Sequence, residues 1–260
     1  MAFFVSIPIA LHKLLQINCD LILRIIHTVN IRFVTWKILM SRTVVITGAN
    51  RGIGLAFASL YKSTGDNVIA LCRQSSAQLD ELGVSVITDI DVSTELGLAK
   101  MTENLADVAI DILINNAGIL RDETLSDFNN QTIIEQFMVN ALAPINVCQR
   151  LLSNLNAGSK VALITSRMGS ITDNDSGGRY GYRMSKAALN AAGKSLAVDL
   201  AKREIATGIY HPGYVQTDMV NHNGDISANV AVSRLVALID ELSLTNTGVF
   251  YHSNGDVLPW

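Results

Sequence analysis

The chain has 260 residues, of which 49% are apolar and 17% charged, which excludes wholesale disorder and suffices for one large domain. A net charge of −3 excludes the strongly basic surface expected of a nucleic-acid-binding protein. The three cysteines are scattered, and no Cys/His cluster indicates a metal site or a disulfide framework. We therefore expect a reducing, cytoplasmic environment, no metal and no nucleic-acid partner.

The first 39 residues form an apolar, basic extension with four basic side chains against one acid, Asp20. Their longest uncharged run, from Ala2 to Leu11, is well short of the roughly 20 apolar residues that span a membrane. Three interpretations stay open: translation upstream of a true start at Met40, a membrane-surface or targeting helix, and an integral part of the fold. Membrane contact is expected only if this segment belongs to the protein.

From Met40 onward, strand-like and helix-like segments alternate. Short, uncharged, β-branched runs predict buried parallel strands at 43–47, 67–71, 84–88, 110–114, 160–165, near 206–210 and near 248–251. Apolar residues at helical spacing predict a helix over about 52–63 and longer helices near 132–153 and 182–203. This alternation produces βαβ units with right-handed crossovers. The predicted fold over 40–260 is one α/β domain of Rossmann type, a doubly wound, seven-stranded parallel sheet flanked by helices.

A glycine-rich turn follows the first strand directly. Gly48 permits the tight turn, Gly52 lets the backbone approach a pyrophosphate, and Gly54 lets helix and strand pack closely. Amide groups at the start of the next helix then face the phosphates. A purely structural turn is the alternative, but the strand–turn–helix context favours nucleotide binding. The expected cofactor contacts in this turn are Gly48, Asn50, Arg51, Gly52, Ile53 and Gly54.

The end of the second strand, Cys72-Arg73-Gln74, carries no acidic residue. Rossmann proteins that bind NAD place a carboxylate there to hold the ribose 2′-hydroxyl. Arg73 would instead pair with a 2′-phosphate, and Arg51 is placed to help from the glycine-rich turn. The alternative is that both arginines are solvated surface charges. The pattern predicts that NADP(H) is preferred over NAD(H).

Tyr182 and Lys186 are four residues apart in a helical segment, so their side chains lie on one helix face. A free phenol has a pKa near 10, too high for good proton transfer near neutrality. An ammonium group within about 4–6 Å favours the phenolate and lowers that pKa. We therefore predict that Tyr182 is the acid/base and that Lys186 lowers its pKa and holds the nicotinamide ribose. Tyr180 is the other candidate phenol, but no lysine follows it four residues later.

Taken together, the turn TGxxxGxG, the stretch Asn115-Asn116-Ala117-Gly118 and the Tyr-x-x-x-Lys pair resemble the short-chain dehydrogenase/reductase family. The resemblance runs from about Met40 to the last residue. It is nearest to the C-factor-like and sniffer-like carbonyl reductases, in the stretches SRMGSI, GGRYGYRMSKAALN and HPGYVQTDM. It implies an NADP(H)-dependent oxidoreductase that transfers hydride between the nicotinamide and a small carbonyl or alcohol substrate.

The same resemblance implies further site residues. Ser166 ends the fifth strand and would hold the substrate oxygen, where negative charge develops, while Ser170 is a weaker rival. The family's remaining cofactor-contacting motifs correspond to Asp91, Val92, Asn116, Ala117, Gly118, Pro212, Gly213, Val215 and Thr217.

Asn140 matches the family's fourth catalytic position, and Pro144 adds a physical argument. Proline has no N–H, so the carbonyl of Asn140 loses its regular helical partner and the helix should kink there. A water held at this carbonyl would connect Lys186 to solvent as a proton relay. A kink that serves packing alone is the alternative.

Two functions of other kinds stay open. One is a cofactor-binding, C-factor-like signalling or interaction protein with little or no turnover, although intact Tyr182, Lys186 and Ser166 favour retained chemistry. The other is an enzyme that residues 1–39 anchor to a membrane. The family commonly pairs through its two long helices, so the resemblance also implies a homodimer or homotetramer.

Overall fold

The computed structural model describes residues 41–260, and the expectations for residues 1–39 lie outside the described residues. The strands are β1 (Thr43–Thr47), β2 (Asn67–Leu71), β3 (Ser85–Ile87), β4 (Ile110–Asn115), β5 (Leu155–Ile164), β6 (Ala206–His211), β7 (Val215–Gln216), β8 (Ile226–Ser227) and β9 (Phe250–His252). In this part of the chain, seven of them form one parallel sheet in the order β3-β2-β1-β4-β5-β6-β9. The predicted doubly wound Rossmann sheet is confirmed.

Helices cover both faces of this sheet. They are α1 (Gly52–Ser63), α2 (Ala77–Glu81), α3 (Glu95–Asn104), α4 (Asn130–Phe137), a π-helix (Met138–Leu142), α5 (Ala143–Arg150), α6 (Tyr180–Ala201) and α7 (Ala228–Glu241). None of the helices within residues 41–260 is long and apolar enough to cross a membrane.

The alternation of side chains along β1 divides the interior into two cores. Val45 points into one core, which α3, α5 and α6 close. Val44 and Ile46 point to the opposite face, where they pack with side chains of α1 and α7. Because both faces are covered, the strand can be apolar at successive positions, and this explains why TVVIT forms a buried parallel strand.

Several elements differ from their predicted bounds. The long helix predicted near 132–153, for example, spans residues 130–150 and is divided into α4, the π-helix and α5. The third strand is shorter, Ser85–Ile87, because it lies at the edge of the sheet and is only half-buried. The fifth begins early, at Leu155, in a polar segment whose register against β4 shifts between Ile110 and Ile112. The small β7–β8 pair was not predicted, since two-residue strands carry no periodic signal.

The order of the strands fixes where a ligand can bind. β1 pairs with β2 on one side and with β4 on the other. The strands that follow β1 in sequence are therefore added first on one side of it and later on the other. Loops at the carboxyl ends of β1 and β4 therefore separate and leave a crevice. Thr47 ends β1 and Asn115 ends β4. The glycine-rich turn after Thr47 and the stretch that begins at Asn115 therefore both lie at this crevice.

Candidate active site

The glycine-rich turn after β1 is packed so closely that its glycines admit no side chain. A Cβ on Gly54 would lie 2.2 Å from the carbonyl oxygen of Gly48, and one on Gly48 would lie 2.9 Å from Cα of Ala117. Gly48 and Gly52 also have positive φ values of 66° and 54°, where glycine is favoured. The turn thus leads the backbone straight into α1, so that helix amides face the crevice.

The loop after β4 is tied to this turn by polar contacts. Asn116 Nδ2 donates to the carbonyl oxygens of Thr47 and Gly48, both at 3.1 Å. The hydroxyl of Thr47 accepts the backbone amides of Asn116 at 3.0 Å and Ala117 at 3.1 Å. Thr47 therefore supports the site, a role that the sequence reasoning missed although the residue directly precedes Gly48.

A cavity of about 430 Å³ lies at the other end of the crevice, lined by Asn50, Arg73, Gln74, Asp89 and Asp91. The structure thus brings Arg73 together with two other predicted contacts, Asn50 and Asp91. Asp91 also accepts from the amide and hydroxyl of Ser93. The cavity has the position expected for the adenosine end of a dinucleotide.

Arg51 does not line that cavity in the structure. Its guanidinium lies 3.5 Å from the carboxylate of Asp218, and both side chains are exposed. This ion pair joins the glycine-rich turn to the segment that follows β6. In the same region, Thr217 faces Gly52, since a Cβ on that glycine would lie 3.3 Å from Cγ2 of Thr217.

The segment after β6 contains the other predicted contacts. Gly213 has a φ of 98°, and Val215 is buried in β7. Ser253 Oγ donates to the carbonyl oxygen of Pro212 at 2.8 Å. The turn that should face the nicotinamide is therefore held by the residue that directly follows the last strand of the sheet.

Tyr182, Lys186 and Ser166 meet at the carboxyl end of β5. All three side chains are buried, and Ser166 is near enough to the Tyr182 hydroxyl to act on its pKa. Lys186 Nζ lies 5.8 Å from the centroid of the Tyr182 ring and donates to the carbonyl oxygen of Ile164 at 3.0 Å. The structure therefore places these three predicted residues together.

The expected lowering of the Tyr182 pKa is not found in this structure. Burial raises the pKa of Tyr182 to about 12, although the Ser166 side chain and the charge of Arg179 act in the opposite direction. Burial also lowers the pKa of Lys186 to about 8. The prediction rested on an attraction between the two groups, which is not among the influences on either pKa here, whereas desolvation is the largest influence on both.

Both rival side chains have other roles. The ring of Tyr180 packs edge-on against Phe128, with centroids 5.7 Å apart. Ser170 Oγ accepts the backbone amide of Asp173 at 3.1 Å and so fixes a loop turn. Of the two serines, Ser166 is the one that acts on the pKa of Tyr182.

Asn140 is buried within the π-helix, so the local distortion predicted from Pro144 takes the form of a widened turn. Its Nδ2 donates to the carbonyl oxygen of Ile119 at 2.8 Å and to Ser185 Oγ at 3.0 Å. Its Oδ1 accepts the amide of Ile119 at 2.8 Å. Gly118 lies close to both Asn140 and Lys186, because a Cβ there would be 3.2 Å from Asn140 Oδ1 and 3.7 Å from Lys186 Nζ.

Comparison with known proteins agrees with these two features, the glycine-rich turn after β1 and the buried cluster of Tyr182, Lys186 and Ser166. The family model described as short chain dehydrogenase matches residues 42–226. The chain belongs to the short-chain dehydrogenase family. It is therefore an NAD(P)-dependent oxidoreductase, as predicted.

This member of the family is similar to proteins of several kinds. It is 33% identical to 1-hydroxy-2-glutathionyl-2-methyl-3-butene dehydrogenase of Rhodococcus sp. (strain AD45), over 84% of this chain and 99% of that protein. It is 39% identical to C-signal of Myxococcus xanthus, over 60% of this chain and 96% of that protein. The structure of NADPH-bound carbonyl reductase from chicken fatty liver is similar with a TM-score of 0.75 and 29% identity, covering 85% and 99% of the two chains. The resemblance to C-factor-like and sniffer-like carbonyl reductases is thus confirmed.

Proposed function

We propose that this oxidoreductase uses NADPH to reduce the carbonyl group of a small substrate to an alcohol. The observation that carries the proposal is the buried cluster at the carboxyl end of β5, where Tyr182 lies beside Ser166 and one helical turn from Lys186. The neutral phenol has a proton to donate to a carbonyl oxygen, and the ammonium group of Lys186 would favour the phenolate that this transfer leaves.

Each side chain has a distinct part in this proposal. Bound NADPH supplies the hydride that reduces the carbonyl carbon. Ser166 donates a hydrogen bond to the substrate oxygen, and Tyr182 transfers its proton to the same atom. Lys186 holds the nicotinamide ribose, and its charge stabilises the phenolate that remains. Asn140, placed in the widened helix, supports a water through which the proton is replaced from solvent.

The crevice fits a dinucleotide on structural grounds. The closely packed turn at Gly48 and Gly54 leaves backbone amides, rather than side chains, facing the pyrophosphate position. At the adenosine end, Arg73 lines the cavity, and its guanidinium suits a 2′-phosphate. We infer from this arginine that NADPH is preferred over NADH.

Replacement of Arg73 tests the cofactor preference. We expect Arg73→Ala to raise the KM for NADPH by about tenfold or more, since a charge-assisted hydrogen bond contributes roughly 1.5–3 kcal/mol. The KM for NADH should change little, because NADH carries no 2′-phosphate. Steady-state kinetics with both cofactors measure the effect, and the exposed Arg203 provides a control variant, Arg203→Ala. An equal effect of Arg73→Ala on both cofactors would refute the assignment.

The segment between β7 and β8 bears on the substrate class. Only a short polar stretch with one turn of 3₁₀ helix, Asp218–Val220, separates the two strands. A short lid leaves an open pocket, so we propose loose selection among small aldehydes, ketones and quinones. Turnover of a matched panel tests this proposal, and sharp selectivity for one member of the panel would contradict it.

The identity with C-signal favours one alternative, a cofactor-binding protein that acts by interaction rather than turnover. Purified full-length protein separates the two functions. NADPH oxidation that depends on an added carbonyl compound supports the reductase. Tight NADPH binding with no turnover across the panel would favour the interaction function instead.

A further inference from the structure

The loop after β4 contains a buried carboxylate, Glu123, that the proposed chemistry does not use. Its residue is only 3% exposed, and none of the ion pairs within residues 41–260 includes it. A buried carboxylate is costly unless its oxygens accept hydrogen bonds. The groups that hold Glu123 therefore indicate what it does.

Neutral donors from two other elements surround this carboxylate. Oε1 accepts from the Thr132 hydroxyl at 2.7 Å and from Gln136 Nε2 at 2.5 Å, both on α4. Oε2 accepts the backbone amide of Gly181 at 3.2 Å, in the first turn of α6. The backbone carbonyl of Glu123 also accepts the amide of Arg179, at 2.8 Å. Glu123 thus connects α4 to the start of the helix that carries Tyr182.

The first turn of α6 lacks a cap of its own. Arg179 at the N-cap position has left-handed backbone angles, and its side chain makes no capping hydrogen bond. Helix N-termini leave amide groups unpaired and favour negative charge. Glu123 supplies both an acceptor and a charge at the residue directly before Tyr182.

Gly181 allows this contact to form. A Cβ at this position would lie 2.4 Å from Gln136 Nε2, 2.9 Å from Cα of Ile133 and 3.1 Å from Glu123 Oε1. The space beside Tyr182 is therefore already filled by the groups that hold Glu123.

The polar side chains on this face of α4 continue into the π-helix and make a second connection to α6. Thr132, Gln136 and Asn140 are spaced by four residues, and Gln136 Oε1 accepts the amide of Arg121 at 2.9 Å. Asn140 Nδ2 donates to Ser185 Oγ, and that hydroxyl donates to the carbonyl oxygen of Tyr182 at 2.8 Å. This face therefore reaches α6 at two positions: through Glu123 at Gly181, directly before Tyr182, and through Asn140 at Ser185, directly before Lys186.

We propose that Glu123 is a positioning residue that caps α6 and thereby aligns the Tyr182 hydroxyl with Ser166 for proton transfer. This inference rests on the proposed reductase function. Glu123 acts through the helix and touches neither substrate nor cofactor. Its loss should therefore slow proton transfer and leave cofactor binding intact.

Glu123→Ala and Glu123→Gln test the proposal in the full chain. We expect Glu123→Ala to lower kcat at least about tenfold, because small misalignments of reacting groups cost up to about 100-fold. The KM for the carbonyl compound and the dissociation constant of NADPH should change less than about twofold. The kcat of Glu123→Gln should lie between those of the wild type and Glu123→Ala, because the glutamine amide keeps an acceptor for Gly181 but presents a donor to Gln136. The control is Asp122→Asn, which removes the adjacent, exposed carboxylate that pairs with Arg179.

Amide hydrogen exchange of residues 180–186 gives a second readout that needs no turnover. The proposal is supported if Glu123→Ala exchanges faster only in residues 180–186 and also loses kcat. Unchanged kcat with unchanged exchange overturns it. A parallel loss of kcat, NADPH binding and melting temperature also overturns it, because a merely structural role would have that effect. If the wild-type protein turns over no carbonyl compound, the reductase function fails, and exchange alone decides whether Glu123 caps α6.

Discussion

Desolvation moves the pKa values of the two central side chains apart from their ordinary values. Lys186 is 4% exposed and Tyr182 is 8% exposed. Burial disfavours the charged form of each, so the pKa of the lysine falls to about 8 while that of the phenol rises to about 12. Below pH 8 the site therefore holds a charged lysine beside a neutral tyrosine, which is the pairing that the proposed reduction uses.

The lysine should make the reaction pH-dependent. Its charge is present below its pKa of about 8 and is lost as the pH rises through that value. We expect kcat/KM for NADPH, which reports the free enzyme, to fall above pH 8 by up to about tenfold per pH unit. Lys186→Arg keeps the charge, so its profile should lose this fall although its activity is lower. A wild-type profile that stays flat from pH 7 to about pH 10 would be inconsistent with this account.

Residues differ in how visible their roles are in the sequence. Tyr182 and Lys186 could be predicted because a four-residue spacing places them on one helix face whatever surrounds the helix. The roles of Glu123 and Thr47 could not, since Gly181 and Asn116, which define those roles, are 58 and 69 residues away in sequence and meet them only in the folded chain. The raised pKa of Tyr182 was missed for the same reason, because burial depends on tertiary packing.

At the scale of elements, the close approach of α1 to the turn after β1 builds the cofactor cradle. Gly54 lies at the contact, with space for a hydrogen atom but not for a methyl group. The position of this turn could be predicted from the strand–turn–helix pattern. The interruption of the long helix at Asn140 was indicated by Pro144, but the π-helix itself depends on the packing of Asn140 against Ile119 and Ser185.

A methyl group at Gly54 should therefore disrupt cofactor binding. We expect Gly54→Ala to raise the dissociation constant of NADPH by about tenfold or more and to lower the free energy of unfolding by about 1–3 kcal/mol, the usual cost of overpacking. Fluorescence titration and urea denaturation measure the two effects. Gly65→Ala is the control, because Gly65 has a φ of 88° but no atom near a Cβ. It should lose about 1–2 kcal/mol of stability to backbone strain without a change in NADPH binding, and equal binding by both variants would contradict the cradle.

At the scale of the whole molecule, the sheet buries His211 at the end of β6. The ring lies 4.9 Å from that of His252, centroid to centroid. Burial, followed by the charge of His252, lowers the pKa of His211 to about 3. The folded protein therefore holds this imidazole neutral, whereas the unfolded chain takes up a proton near pH 6.5.

This difference should make the fold sensitive to acid. Between pH 6.5 and about 3 the unfolded state binds the proton that the folded state excludes, so the free energy of unfolding decreases as the pH falls. From pH 7 to 5 we expect His211 to account for about 2 kcal/mol of that loss. Urea denaturation at both pH values should show a smaller loss for His211→Asn. The control His222→Asn removes an exposed histidine and should behave like the wild type; the same loss in all three proteins would exclude His211 as the cause.

The proton donor is the central claim, and replacement of Tyr182 by phenylalanine tests it most directly. Carbonyl-dependent NADPH oxidation and NADPH binding are measured side by side for the wild type, Tyr182→Phe and Tyr180→Phe. We predict that Tyr182→Phe lowers kcat by about 100-fold to 10,000-fold, the range for general acid catalysis, with NADPH binding unchanged and Tyr180→Phe close to wild type. If Tyr182→Phe kept wild-type turnover, the assignment of the active site would be wrong.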